Sequence, residues 1–115
     1  MATKRLKPTT RREQILDAAI TLARRAYYTD VTRDAIAKEL AVSPATIQYH
    51  FGTMKTLRRA LVRHSIAGSD PENGRRKVYQ KRCARVLAQA LMAGDPHAEK
   101  APAYLRSIAA RVFQD

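Results

Sequence analysis

The side chains best equipped for chemistry lie close together in the middle of the chain. Gln48 carries an amide that donates and accepts side by side, the pattern that pairs with the exposed edge of adenine. Thr46, two residues earlier, offers a hydroxyl for a base edge and a methyl for thymine. Tyr49 and His50 follow with donors suited to phosphate oxygens, and Arg33 upstream suits phosphate or guanine. This is recognition chemistry. No comparable set exists for making or breaking bonds. His50, His64 and His97 are not at paired metal-ligand spacing, and Cys83 is the single cysteine. There is no glycine-rich phosphate loop and no nuclease-like carboxylate pair. No enzymatic activity, cofactor or metal is expected.

The elements that position these residues can be read from capping signals. In residues 32–57, TRDAIAKELAVSPATIQYHFGTMKTL, Thr32 is an N-cap and Asp34 sits in the positive first turn of a helix over about 33–40. Because Thr32 is a cap first, its hydroxyl is not expected to serve a phosphate easily as well. Ile36, Ala37 and Leu40 share one face. Ala41 and Val42 make a turn, Ser43 caps a second helix, and Pro44 takes its first position, where a missing N–H costs nothing. Ile47 and Phe51, four apart, are the buried anchors of that helix. The polar residues between them then face outward. A short helix laid across another in this way is a helix-turn-helix, whose second helix enters the DNA major groove. Tyr49 has a competing reading, half-buried against the first helix, and His50 one that merely closes the helix end.

The 115 residues carry a net charge of +12, with a pI near 10.6. That balance favours nucleic acid first and an anionic membrane second. With 45% hydrophobic residues, 4 Gly and 5 Pro, the chain is expected to fold as one all-α domain. A lone cysteine excludes an internal disulfide and reads as a buried thiol in a reducing cytoplasm. No membrane span or signal peptide is visible, so a cytoplasmic location is expected.

Outside the motif, residues 1–9 hold Lys4, Arg5 and Lys7 and read as a flexible basic arm. Thr10 and Glu13 form a capping box, and Ile15, Ala18, Ala19, Leu22 and Ala26 extend its helix to about Tyr27. Arg24 and Arg25 suit the C-terminal end of that helix, and residues 28–31 connect onward. Thr53 caps a helix over about 54–67, with Leu57, Leu61 and Ile66 inward, Arg58, Arg59 and Arg63 outward, and Gly68 as its stop. Residues 69–74, SDPENG, form a linker. A helix over about 75–93 buries Cys83, Val86, Leu87, Ala90 and Leu91, and its first half is strongly basic. That basic run is a solvated face, an extra contact to DNA backbone, or a site for an acidic partner. After a turn marked by Pro96 and Pro102, a last helix over about 102–113 buries Leu105, Ile108, Ala109 and Val112. Residues 10–67 are read as the DNA-binding domain and 75–115 as a short helical region for dimerisation.

Residues 10–67 resemble the DNA-binding domain of the tetracycline-repressor (TetR) family of bacterial regulators. The likeness rests on Ile15, Leu16, Ala18 and Ala19, then VTRDAIAKELAVSPATI, then Tyr49–His50–Phe51, then a capped helix beginning TMKTL. It implies a three-helix domain, a fourth helix linking to a C-terminal body, and a homodimer on a roughly palindromic operator. It also implies DNA contacts from Thr32 and Arg33; from Ser43, Pro44, Ala45, Thr46, Gln48, Tyr49 and His50; and from Thr53 and Lys55. Gln48 stands where the family usually has a further aromatic. Met54 stands where it usually has lysine, with Lys55 one place later. The segment after Gly68 is less than half of what family members usually carry, so a small-molecule effector is not carried over from the resemblance.

Together these readings describe a double-stranded-DNA-binding transcriptional regulator, a repressor rather than an activator, of a size that suits a phage or plasmid. The alternatives are a ring-forming phage DNA-packaging or architectural DNA-binding protein, an interaction module built on the basic helix, and a fragment of a longer chain.

Overall fold

The Thr10 hydroxyl accepts a hydrogen bond from the Glu13 N–H at 3.1 Å, and the Glu13 carboxylate accepts one from the Thr10 N–H at 3.2 Å. This reciprocal cap starts α1 (Arg11–Leu22) in the computed structural model, which describes residues 10–113. The basic arm expected over residues 1–9 lies outside the described residues. The remaining helices are α2 (Arg33–Leu40), α3 (Pro44–Phe51), α4 (Met54–Ser69), α5 (Lys77–Met92), the single turn α6 (Pro96–Glu99) and α7 (Ala103–Ala110). The fold is all-α, with no strand among the described residues.

α1 ends at Leu22, well short of the Tyr27 end expected from its apolar spacing. The chain tightens through Arg24 N–H to Thr21 O and Arg25 N–H to Leu22 O, then turns back through a 3-10 turn at Tyr28–Asp30. The gain is burial: Tyr28 is 3% exposed and Val31 5%. The Tyr28 N–H donates to the Gln89 side-chain oxygen at 2.9 Å, and the Tyr27 hydroxyl donates to the Gln89 main-chain oxygen at 3.1 Å. A continued helix would forfeit these contacts. Ala26 is therefore exposed, and Arg24 and Arg25 lie beyond the helix rather than in its last turn.

α2 and α3 follow their caps. Thr32 Oγ1 accepts from the Ala35 N–H at 3.1 Å. At the other end of α2, Val42 N–H bonds Ala37 O and Ala41 N–H bonds Lys38 O. This closure needs a left-handed residue, and Ala41 supplies it with φ 58°. Ser43 occupies the N-cap backbone position of α3, but contrary to expectation its side chain makes no capping bond. Its hydroxyl instead lies 3.3 Å from the Thr46 hydroxyl.

α4 runs through Gly68, the expected stop, to Ser69. Gly68 is there for proximity. A Cβ at that position would collide with Cys83 Sγ and the Tyr79 ring, so the glycine lets α5 lie directly on α4. Burial pushes the Cys83 thiol up to about 12, which keeps it protonated and unreactive. Ile15, Ile20, Ile36, Ile47, Leu61, Val62, Val86 and Leu87 are fully buried and belong to one cluster that also takes in Leu105 and Ala109 of α7. The described residues thus share a single core across the expected linker.

A polar junction crosses the same seam. Tyr79 Oη donates to Asp17 Oδ1 at 2.7 Å and lies 2.7 Å from His64 Nε2, which is itself 2.9 Å from that carboxylate oxygen. Arg75 adds a longer ion pair to Asp17 at 3.7 Å and covers the Tyr79 ring. Burial tends to raise the Asp17 pKa, but the hydrogen bonds from His64 and Tyr79, with the charges of His64 and Arg75, hold the carboxyl below its ordinary value.

Two outcomes follow for stability. Gly68→Val overpacks the α4–α5 contact and should cost about 1–3 kcal/mol in urea unfolding. A carboxyl depressed in the folded state contributes stability that is present above its unfolded value of about 4 and is lost as pH falls through the lower folded value. Asp17→Asn should therefore lower stability near neutral pH by about 1 kcal/mol, the contact being partly solvent-screened. It should also flatten the fall in stability below about pH 4, measured by urea unfolding across a pH series.

Candidate nucleic-acid interface

α3 is held by its two inward residues. Ile47 is 1% exposed and Phe51 4%. Four residues make slightly more than one helical turn, so the residues between them point outward. Tyr49 is 85% exposed, which rules out the half-buried reading of this residue. Gln48 is exposed, and Ser43, Pro44 and Ala45 before it are exposed at the start of the helix, while Thr46 and His50 are half-buried on its flanks.

The side chain of Gln48 is held in place. Arg33, in the first turn of α2, donates from Nη1 to Gln48 Oε1 at 2.7 Å. The contact leaves the amide N–H₂ and a second lone pair on the oxygen, the pair of groups that adenine recognition uses. Thr32, Arg33, Pro44, Ala45, Gln48 and Met54 line one shallow groove, so the starts of α2, α3 and α4 converge on the same surface. Asp34 is also on this rim, where it complements the α2 dipole.

The two threonine caps differ in what they leave free. Thr32 Oγ1 accepts from a backbone N–H, so its own proton can still be donated outward. This removes the conflict expected between its cap and a phosphate. Thr53 Oγ1 accepts from the Thr56 N–H and donates to Thr56 Oγ1, so its proton is spent inside the helix start. Lys55, one place into α4, is exposed.

Sequence reasoning missed Arg12. Its guanidinium lies 4.4 Å from the centre of the Phe51 ring and donates to the His50 carbonyl at 3.4 Å, closing the end of α3 from α1. The partners are 38 residues apart, and no local signal joins them. Arg12 also lines an open cleft with Arg59 and Arg63 between α1 and α4. Arg59 and Arg63 face outward as expected. Arg58 does not: it is half-buried beside Tyr28. Among the described residues there is no cluster of His, Cys, Asp or Glu able to hold a metal ion, and no helix is long and apolar enough to cross a membrane.

Residues 15–61 match the family model described as bacterial regulatory proteins, tetR family. No curated protein and no solved structure matches the chain. The matched segment contains α2, α3 and the start of α4, which build the surface described above. The Thr32 cap can be separated from any outward contact by substitution. Thr32→Ala should cost about 1 kcal/mol in thermal or urea unfolding, whereas Thr32→Asn should stay within a few tenths, because asparagine caps as well as threonine.

Proposed function

Residues 15–61 form a TetR-family N-terminal DNA-binding domain, and from that premise we propose that this DNA-binding transcription regulator acts as a sequence-specific repressor, binding an inverted-repeat operator as a homodimer. One observation carries the reading: α3 presents an exposed Gln48 whose oxygen is gripped by Arg33, on a helix anchored from behind by Ile47 and Phe51. In this reading Gln48 and Thr46 read base edges, and Arg33 both positions Gln48 and adds a contact of its own. Thr32, Ser43, Tyr49, His50 and Lys55 bind phosphates through their side chains, and Thr53, whose hydroxyl proton is spent on Thr56, does so through its main-chain N–H. Pro44 and Ala45 pack close to the sugar–phosphate wall, where a larger side chain would hold the helix away. Two copies place their recognition helices in successive major grooves about 34 Å apart, and occupancy blocks polymerase.

The test is selection of bound sequences from random duplex DNA at near-physiological salt, with the mass of the complex measured alongside. An inverted repeat bound by one or two dimers is the expected result. Sequence-blind binding by a larger ring would instead indicate a packaging or architectural protein. On the selected site, Gln48→Ala should lose about 1–3 kcal/mol while binding to unrelated duplex stays unchanged. Equal losses on both would remove Gln48 from base reading.

A further inference from the structure

α5 and α7 leave an open groove of about 600 Å³ between them. Its floor is apolar, with Ile108 from α7 and Val112 just beyond its end. One rim is a row of bases on α5, Lys77, Lys81 and Arg85, and the other sides carry Arg24 and Arg111. Among the described residues none of these five has a carboxylate within ion-pair distance; both ion pairs found there use Asp17. Among the described residues the buried Arg85 Nε has no hydrogen-bond partner, and its guanidinium lies 5.4 Å from the centre of the Phe113 ring.

The groove is at the far end of the molecule from α3. Arg12, at the start of α1, touches His50 and Phe51, whereas Arg24, just past its end, lines the groove. At 1.5 Å per residue α1 separates the two by roughly 18 Å. α4 likewise runs roughly 24 Å from Met54, beside α3, to Ser69 on the groove wall. A duplex seated on α3 therefore does not use these charges.

The geometry points to an acidic amphipathic helix of a partner protein as the occupant. Lys77, Lys81 and Arg85 repeat every four residues, so they form a charged edge that acids at i and i+4 of a facing helix can match, while the apolar stripe of that helix covers Ile108 and Val112. A second copy of this chain is disfavoured, because it would bring like charges together. A small anion would be left largely uncovered by so open a groove. A nucleic-acid backbone would leave the apolar floor without a partner.

The probe is a fluorescein-labelled peptide of roughly 14 residues, with leucines at i, i+3, i+4 and i+7 and glutamates on both flanks, compared with a scrambled peptide of the same composition. The full-length protein should bind the patterned peptide at least tenfold more tightly than the scrambled one. The exposed double substitution Lys77→Glu with Lys81→Glu should weaken patterned binding at least tenfold. Lys38→Glu with Lys100→Glu, the same charge change elsewhere on the surface, should alter it less than threefold. Duplex DNA should not displace the peptide. Equal binding of the scrambled peptide, equal loss in the two double variants, or displacement by duplex DNA would each overturn the proposal. Circular dichroism on both variants establishes that each is folded.

Discussion

Ile47 and Phe51 hold α3 to the rest of the molecule, and a helix of eight residues is too short to be stable in water without such anchoring. Burying two large apolar side chains is worth roughly 1.5–3 kcal/mol each, enough to fix the helix and its rotation about its own axis. That rotation decides which residues face out. Shifting the apolar pair by one position would turn Gln48 and Tyr49 aside and remove the polar ridge. Arg33 and Arg12 then refine what the two anchors establish, one gripping the Gln48 amide and the other covering Phe51 and the His50 carbonyl.

α4 connects this surface to the remainder of the fold. Its first residues stand beside α3, and its last turns lie against α5 where Gly68 admits Cys83 and Tyr79. The Asp17–His64–Tyr79 junction ties α1, α4 and α5 together at the same seam. Two basic surfaces therefore sit on a rigid frame at opposite ends. Basic residues at both ends contribute to the net charge of +12, so charge alone does not assign the whole excess to DNA.

Much of this was legible in the sequence because it depends on residues within one helical turn. The Thr10–Glu13 box, the Thr32 and Thr53 caps, Pro44 at the head of α3 and the Ile47–Phe51 spacing all act over three or four positions, and all start or orient helices where expected. The all-α class and the helix-turn-helix follow from those signals alone. Ser43 shows the limit even at short range: its backbone takes the cap position, but its hydroxyl turns to Thr46.

What the tertiary structure decided involves partners far apart in the chain. α1 stops at Leu22 because Tyr28 finds a buried place and a hydrogen-bond partner in Gln89, 61 residues later. Gly68 continues a helix that a glycine would ordinarily end, because α5 presses against it. Arg12 belongs to the end of α3 only once α1 crosses beside it. Local propensity favours each of these alternatives by about 1 kcal/mol or less per residue, whereas burial of a large side chain is worth more, so long-range packing prevails wherever the two disagree.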